Sequence, residues 1–281
     1  MTYLEKEERK VHYAGIDIHY EIYEYRTNKP VVVLIHGFLS STFSFRKLIP
    51  YLTEQYSVIA LDFPPFGKSG KPKRFRYSFE NIAKTIIGSL KSICNHKIII
   101  IGHSMGGQLA LHMARQDSSF IKCIILLCST SYLKPAKKSL MITSYLPFFD
   151  YYVKYYLAKK GVLNNLLSVV NDHSLIDNEM IEGYSLPFEN QGVFIGLTRM
   201  IRHREGDLSS TELKKIDTPC LLIWGEQDRI VPIHIGKRLH NDLPNSYFIT
   251  YKDTGHLLPE EKPEDVSKDI IKFIEKQESN L

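Results

Sequence analysis

The chain has 281 residues, of which 43% are hydrophobic and 24% are charged. These proportions are typical of a folded domain and exclude a disordered chain, a collagen-like repeat and a disulfide-rich scaffold. The formal net charge of +5 is modest and is expected to be spread along the chain. Its densest basic patch, residues 68–76, is typical of a solvated loop rather than of an anion site or a nucleic-acid site.

Short apolar runs alternate with helical segments along the chain. A hairpin is predicted at the start, over residues 11–13 and 16–23. Buried strands are predicted over residues 31–35, 58–61, 97–101, 123–127 and 220–224, and a further strand over residues 247–251. Helices are predicted over residues 43–52, 78–90, 104–115, 234–239 and 263–273. Strands joined by helices imply right-handed crossovers and a mostly parallel sheet that helices cover on both faces.

One long stretch interrupts this alternation. Between residues 129 and 218 there is no predicted buried strand, the apolar spacing is helical and aromatic residues are dense. Because structureless loops of this length are uncommon, the stretch predicts a helical insertion.

Gly102-His103-Ser104-Met105-Gly106 carries the strongest chemical signal. It follows a predicted strand and opens a predicted helix, which is the context of the G-x-S-x-G nucleophile elbow. Such a turn is tight and strained, and side chains two residues before and after the nucleophile would clash, so both positions are glycine. The alternative is a glycine-rich turn whose serine only caps the helix. We predict that Ser104 is a nucleophile.

A serine hydroxyl needs a base to act as a nucleophile. Of the eleven histidines, His256 alone follows a late strand in a glycine-containing loop, Thr254-Gly255-His256. His36 and His103 lie at strand ends, where we expect them to organise the backbone. We therefore predict that His256 is the base.

The base needs an acid that orients it. Asp228 directly follows a predicted buried strand, and parallel sheets place catalytic groups at the carboxyl ends of their strands. Glu226 is the nearest rival, and Asp207, Asp217 and Asp253 are weaker candidates. The order Ser104, Asp228, His256 excludes the orders found in chymotrypsin and subtilisin.

Acyl transfer also needs donors for an oxyanion. The backbone N–H of Met105, directly after the nucleophile, is one predicted donor, and the N–H of Phe38, in the loop after the first buried strand, is the other. Such a site needs no metal and no organic cofactor.

These motifs resemble those of α/β-hydrolases of the single-domain esterase type. The matching segments are His36–Phe38 (HGF), Gly102–Gly107 (GHSMGG), Gly225–Asp228 (GEQD) and Thr254–His256 (TGH). The resemblance implies a sheet of about eight strands, a Ser–His–Asp triad and a helical lid between strands six and seven. It divides the chain into a core of residues 1–129 and 216–281 and a lid of residues 130–215.

The sequence departs from the family pattern at residues 62–69. Residues 62–69 read DFPPFGKS, with Pro65 where the family often has the first glycine of D-x-x-G-x-G-x-S, so we expect a stiffer loop that narrows the entrance. In the insertion, aromatic residues crowd one segment: Tyr145, Phe148, Phe149, Tyr151, Tyr152, Tyr155 and Tyr156. We expect most of them to pack the lid against the core. The alternatives are an apolar acyl-binding wall and a membrane-surface helix, for which the lysines of the segment are too few.

The four cysteines have no CxxC spacing and look like small buried hydrophobic residues in a reducing compartment. We find no apolar signal-peptide core and no stretch of about 18 apolar residues. We therefore expect a cytoplasmic monomer or homodimer with no stable membrane insertion and no nucleic-acid partner.

The leading hypothesis is a carboxylesterase that cleaves small to medium hydrophobic esters. A thioesterase, a C–C bond hydrolase and a ligand-sensing regulatory protein on the same fold are the alternatives that these residues leave open.

Overall fold

The computed structural model describes residues 5–26 and 28–279. In these residues the apolar runs form one sheet of eight strands. They are β1 (Lys6–Tyr13), β2 (Ile16–Tyr23), β3 (Val31–Ile35), β4 (Ser57–Leu61), β5 (Ile98–His103), β6 (Ile121–Leu127), β7 (Cys220–Gly225) and β8 (Ser246–Tyr251). Their spatial order is β1-β2-β4-β3-β5-β6-β7-β8.

The sheet is mostly parallel, as predicted. β2 pairs antiparallel with β1 and β4, and the remaining pairs are parallel. Every residue of β3, β4 and β5 is buried. These strands have helices on both faces, which is why their sequences are apolar throughout instead of alternating.

Helices connect the strands and flank the sheet. The α-helices of the described residues are α1 (Ile49–Thr53), α2 (Phe79–Ile93), α3 (Met105–Gln116), α4 (Lys138–Thr143), α5 (Phe149–Ala158), α6 (Val162–Val169), α7 (Asn178–Glu189), α8 (Gln191–His203), α9 (Ser210–Leu213), α10 (Ile233–Asp242), α11 (Leu258–Glu261) and α12 (Pro263–Ser279). Ser78 caps α2 by accepting a hydrogen bond from the Asn81 N–H, as the sequence predicts.

The helix predicted over residues 43–52 is wrong in extent. The chain forms a short 3-10 helix, Thr42–Phe45, and then the separate helix α1. Pro50 lies in the first turn of α1, where its missing N–H costs no intrahelical hydrogen bond, so a helix begins at this proline more readily than it runs through it.

Between β6 and β7 the chain forms α4 to α9 and no strand, and we refer to this helical segment as the insertion. Its helix α8 buries Val193, Phe194 and Leu197. A Cβ atom on Gly196 would lie 2.2 Å from the Cβ of Pro65, so α8 crosses in contact with the loop that follows β4. The insertion therefore packs over loops at the carboxyl ends of the central strands.

The expectation that the aromatic residues of the insertion pack against the core is wrong. Of the seven aromatic residues over positions 145–156, only Phe149 is buried. α4 buries none of its residues, and α5 buries only Phe149 and Val153. Both helices lie on the surface, so a dense aromatic sequence there does not produce core contacts.

In the part of the chain that the structure describes, none of the helices is long and apolar enough to cross a membrane. All four cysteines are buried and free, as expected.

Candidate active site

Ser104 occupies the turn between a strand and a helix. β5 ends at His103 and α3 begins at Met105. Ser104 has φ 52° and ψ −116°, a backbone conformation that an L-residue rarely adopts. The neighbouring glycines make this turn possible: a Cβ on Gly106 would lie 2.1 Å from the Ile35 carbonyl oxygen, and one on Gly102 would lie 2.5 Å from the Gly106 oxygen. The predicted elbow conformation is confirmed.

His256 and Asp228 are in direct contact. The Nδ1–H of His256 donates to Oδ2 of Asp228 at 2.7 Å, and both residues are 5% exposed. The other carboxylate oxygen, Oδ1, accepts from the N–H groups of Ile230 and Val231, each at 2.8 Å. Burial would raise the pKa of Asp228, but these hydrogen bonds and the imidazole lower it below its usual range. Asp228 is therefore an ionised carboxylate that holds one edge of the ring.

The rival acid lies elsewhere. The Glu226 side chain is exposed and accepts a hydrogen bond from Thr250 Oγ1 at 3.0 Å. The loops that carry Asp228 and His256 are joined by Gln227, whose N–H donates to the Thr254 oxygen at 3.0 Å and whose Oε1 accepts from the Thr254 N–H at 3.0 Å. The contact between these two loops therefore places the carboxylate of Asp228, and not that of Glu226, against His256.

His103, the residue before Ser104, contacts His256 directly. The rings of His103 and His256 lie with centroids 4.9 Å apart, and Nε2–H of His103 donates to the His256 carbonyl oxygen at 2.9 Å. In the described residues, no hydrogen bond joins the Ser104 hydroxyl to His256. The structure therefore brings Asp228 and His256 into contact and places His103, the residue before Ser104, against His256.

Two histidines organise the backbone, as the sequence predicts. Burial, together with the nearby His256, lowers the pKa of His103 to about 3, so this ring stays neutral and keeps its donor. His36 donates from Nδ1 to the Gly37 oxygen at 2.7 Å, and burial lowers its pKa as well. Neutral rings therefore add no positive charge beside His256.

The two predicted oxyanion donors have open N–H groups. Among the described residues, neither the Phe38 N–H nor the Met105 N–H has a hydrogen-bond acceptor. Met105 opens α3, and the first N–H groups of a helix lack intrahelical partners. The loop after β3 approaches Ser104 closely, since a Cβ on Gly37 would lie 3.2 Å from the Ser104 Cβ.

Sequence reasoning missed Glu261 at this site. Its Oε1 accepts from the Gly255 N–H at 2.9 Å, and its Oε2 accepts from the N–H groups of Asn171 and Asp172 at 2.8 and 3.3 Å. Burial raises the pKa of Glu261. This carboxylate joins the loop of His256 to the helical insertion, and the His256 N–H donates to the Val169 oxygen in the same segment at 2.7 Å.

Cys128 is a second residue near the site that the sequence marked only as buried. Its sulfur, a carboxylate oxygen of Asp228 and a ring nitrogen of His256 lie within 4.8 Å of one another. Burial raises the pKa of the Cys128 thiol well above its usual value. A further group of possible metal ligands, Glu8, His19 and Glu21, has its carboxylates paired with lysines. In the first group Asp228 and His256 already bond to each other, and in the second both carboxylates are already paired.

Known proteins resemble this chain over nearly its whole length. A family model of the alpha/beta hydrolase fold matches residues 30–263. The uncharacterized hydrolase YugF of Bacillus subtilis (strain 168) is 50% identical over 260 residues, which cover 92% of this chain and 95% of YugF. The 2-hydroxy-6-oxo-6-(2'-aminophenyl)hexa-2,4-dienoic acid hydrolase of Metapseudomonas resinovorans is 25% identical over 278 residues, 96% of this chain and 91% of that protein.

Among solved structures, a thermophilic esterase from Thermogutta terrifontis matches with a TM-score of 0.76 and 22% identity, covering 96% of this chain and 99% of the esterase. This likeness concerns the fold.

Proposed function

Because this chain belongs to the α/β-hydrolase fold family, we propose that it is a serine hydrolase that cleaves carboxylic esters through an acyl-enzyme on Ser104. The proposal depends above all on the 2.7 Å hydrogen bond between His256 Nδ1 and Asp228. This bond fixes the tautomer of the ring, because Nδ1 carries the proton and Nε2 is left as the basic nitrogen.

The reaction follows from this arrangement. Ser104 Oγ attacks the ester carbonyl carbon while Nε2 of His256 takes the hydroxyl proton. The imidazolium that forms is stabilised by Asp228, whose lowered pKa keeps it ionised. The carbonyl oxygen becomes an anion and accepts from the N–H groups of Phe38 and Met105.

Collapse of this intermediate expels the alcohol, which receives the proton from His256. A water molecule then adds to the acyl-enzyme by the same route and releases the acid. The missing hydrogen bond between Ser104 and His256 fits this scheme, since catalytic hydrogen bonds in free enzymes often tighten only when substrate binds.

The surroundings favour a hydrophobic small-molecule ester. The side chain of Phe38 is 42% exposed beside its own N–H donor, and its ring packs edge-on against Phe66 at 5.7 Å between centroids. Met105, at the second donor, is a further apolar side chain. An acyl chain held at the two donors would therefore meet apolar surface.

Turnover of p-nitrophenyl butyrate tests the proposal. We expect Ser104→Ala to lower kcat by about 10⁴-fold or more, since it removes the nucleophile. Ser118→Ala is the matched control, because Ser118 is exposed and follows α3 at the opposite end of that helix from Ser104. A fluorophosphonate probe should label the wild type and the control but not Ser104→Ala. Equal rates for Ser104→Ala and the wild type would refute the assignment.

A C–C bond hydrolase is the second candidate. The Metapseudomonas resinovorans relative, whose name is that of a dienoic acid hydrolase, spans 96% of this chain. Comparing kcat/KM for an ester series and for a 2-hydroxy-6-oxohexa-2,4-dienoate separates the two. A higher value for the dienoate overturns the ester assignment but leaves the Ser104 nucleophile in place. A single burst of product without turnover favours the ligand-sensing alternative.

A further inference from the structure

The surface of the helical insertion carries an unusual amount of exposed apolar side chain. We call the exposed apolar side chains of residues 140–156, on α4, α5 and the loop between them, the apolar face. Ile142, Tyr145, Phe148 and Tyr155 are each 70–75% exposed. Contiguous apolar surface of this kind is rare on a monomeric protein unless it contacts a partner or a membrane.

Positive charge is concentrated around this face. Residues 133–163 contain six lysines and one acidic residue, Asp150, which accepts a hydrogen bond from Gln191 at 2.7 Å. With this stretch removed, the remaining basic and acidic residues of the chain balance at thirty each. The prediction of an evenly spread charge is therefore wrong: the excess that gives the chain its net charge of +5 lies beside the apolar face.

A basic cavity borders the same face. It has a volume of about 180 Å³, and Leu146 lines it together with Lys73, Arg199 and Arg202. Arg202 is held in place by Nε, which donates to Ser144 Oγ at 2.8 Å. Thr198 also lines the cavity; it is 5% exposed, and its Oγ1 has no hydrogen-bond partner among the described residues. Asp150 lines it as well, with its carboxylate accepting a hydrogen bond from Gln191. Three cations, one carboxylate and an unpaired hydroxyl leave the cavity with a positive balance of charge that suits an anionic oxygen group such as a phosphate.

We propose that the apolar face docks on an anionic lipid surface, with a lipid phosphate held in the cavity between Lys73, Arg199 and Arg202. Tyrosine and phenylalanine place their rings at the level of the lipid headgroups, where the tyrosine hydroxyls remain hydrated. The lysines of the aromatic segment alone are too few for membrane binding, but the six lysines of residues 133–163 together gain from the negative potential of an anionic leaflet. The two short helices would lie in the interface without crossing it, as amphipathic surface helices do.

A second copy of the chain is a less suitable occupant of this face. A symmetric dimer through the apolar face would bring two lysine-rich rims against each other, with only Asp150 to offset them on each side. An anionic bilayer offers both an apolar interior and the opposite charge. The proposal is independent of ester hydrolysis, because it concerns binding by residues outside the candidate active site.

Co-sedimentation with vesicles tests this proposal. We expect the full chain to bind phosphatidylcholine vesicles containing 30% phosphatidylglycerol at least ten-fold more tightly than pure phosphatidylcholine vesicles, and to be released as NaCl is raised from 50 to 500 mM. Phe148→Ser combined with Tyr155→Ser should lower binding at least ten-fold. Arg199→Glu should weaken the preference for phosphatidylglycerol, because it removes one cation of the cavity while the lysines remain.

Tyr25→Ser combined with Leu186→Ser is the matched control, since both side chains are exposed, 43% and 54%, and lie outside the apolar face. Thermal melts establish that each variant folds. Binding of the wild type that is no stronger with phosphatidylglycerol, or unchanged binding by the Phe148/Tyr155 variant, would overturn the proposal. The proposal would also be overturned if sedimentation velocity showed a wild-type dimer that the Phe148/Tyr155 variant abolishes and if the wild type did not bind vesicles.

Discussion

The close backbone packing at Gly106 determines where the Ser104 hydroxyl can lie. Its α-carbon passes so close to the end of β3 that an added Cβ would lie 2.1 Å from the Ile35 oxygen and 2.4 Å from the His36 oxygen. Both atoms belong to the backbone, in a part of the chain that is fully buried, so neither can move aside as a flexible side chain could. The elbow depends on the absence of a side chain at this position.

We expect Gly106→Ala to lower the free energy of unfolding by about 2–4 kcal/mol and to reduce ester turnover, because α3 must shift away from β3. Gly161→Ala is the comparison. Gly161 has φ +74° but nothing within 4 Å of its added Cβ, so only the backbone strain of about 1 kcal/mol should appear there. Urea unfolding and p-nitrophenyl butyrate assays measure both effects. Equal losses in the two variants would show that the close contact is unimportant.

The sequence predicts Ser104, Asp228 and His256 because each follows an apolar strand within a short motif. Cys128 also follows such a strand, but a lone cysteine after LL carries no motif, and burial explains it equally well. Glu261 gives no local signal, because its partners Asn171 and Asp172 lie ninety and eighty-nine positions away. Contacts of that separation depend on how the insertion docks, which no short pattern encodes.

The short helix α11 links the insertion to the catalytic loop. Glu261, its last residue, accepts one hydrogen bond from the loop of His256 and two from residues 171 and 172 of the insertion. A carboxylate offers two acceptor oxygens for these three N–H groups, whereas an amide offers one and presents two hydrogens of its own.

Glu261→Gln should therefore loosen one of the two elements that the carboxylate joins. A hydrogen bond to a charged group contributes about 1.5–3 kcal/mol, so we expect amide hydrogen exchange at Gly255, Asn171 or Asp172 to accelerate by about ten- to a hundred-fold. Glu264→Gln, which removes only a surface ion pair with Lys268, should leave exchange unchanged. Unchanged protection in Glu261→Gln would contradict the link.

The prediction of one helix over residues 43–52 failed for a local reason. The expectation that the aromatic residues of the insertion pack against the core failed for a global one. Helical spacing over 43–52 was correct, but Pro50 divides the segment into two short helices. In the insertion the helices form as predicted, yet their aromatic residues face outward. Periodicity identifies a helix and its apolar side, but it does not say whether the rest of the protein covers that side.

Three buried histidines make the molecule as a whole sensitive to acid. Burial lowers the pKa of His36, of His103 to about 3 and of His112 to about 4. In the unfolded chain such rings bind protons near pH 6.5. Between that pH and the lowered values the unfolded state holds more protons, so the free energy of unfolding falls as the pH falls.

His112→Leu isolates one of these contributions. His112 is 1% exposed in α3, beside Phe79, and neither ring nitrogen has a hydrogen-bond partner among the described residues. We expect the loss of unfolding free energy between pH 7.5 and pH 4.5 to be smaller in the variant by about 2 kcal/mol. Urea titrations at the two pH values measure it. His234→Leu, at an exposed position, should show the wild-type loss, and the same loss in His112→Leu would refute the explanation.

The sequence predicts the parallel strands of the sheet more fully than it predicts the hairpin at the start of the chain. Five all-apolar strands and their helices predict the parallel sheet, and β3 to β7 form close to the predicted bounds. The hairpin at the start is longer than predicted, because β1 begins at Lys6 among charged residues. Residues 6–10 are exposed and are held by pairing with β2, so their strand conformation comes from the partner strand and not from apolar spacing.

The backbone N–H of His256 donates to the Val169 carbonyl oxygen. The position of the imidazole that would accept the serine's proton therefore depends partly on the helices of the insertion. If those helices move outward when a molecule enters or leaves, the hydrogen bond that supports the loop of His256 is lost. Catalysis and the exchange of substrate or product then occur at different times, because the base is in position while the helices are closed and is displaced while they are open.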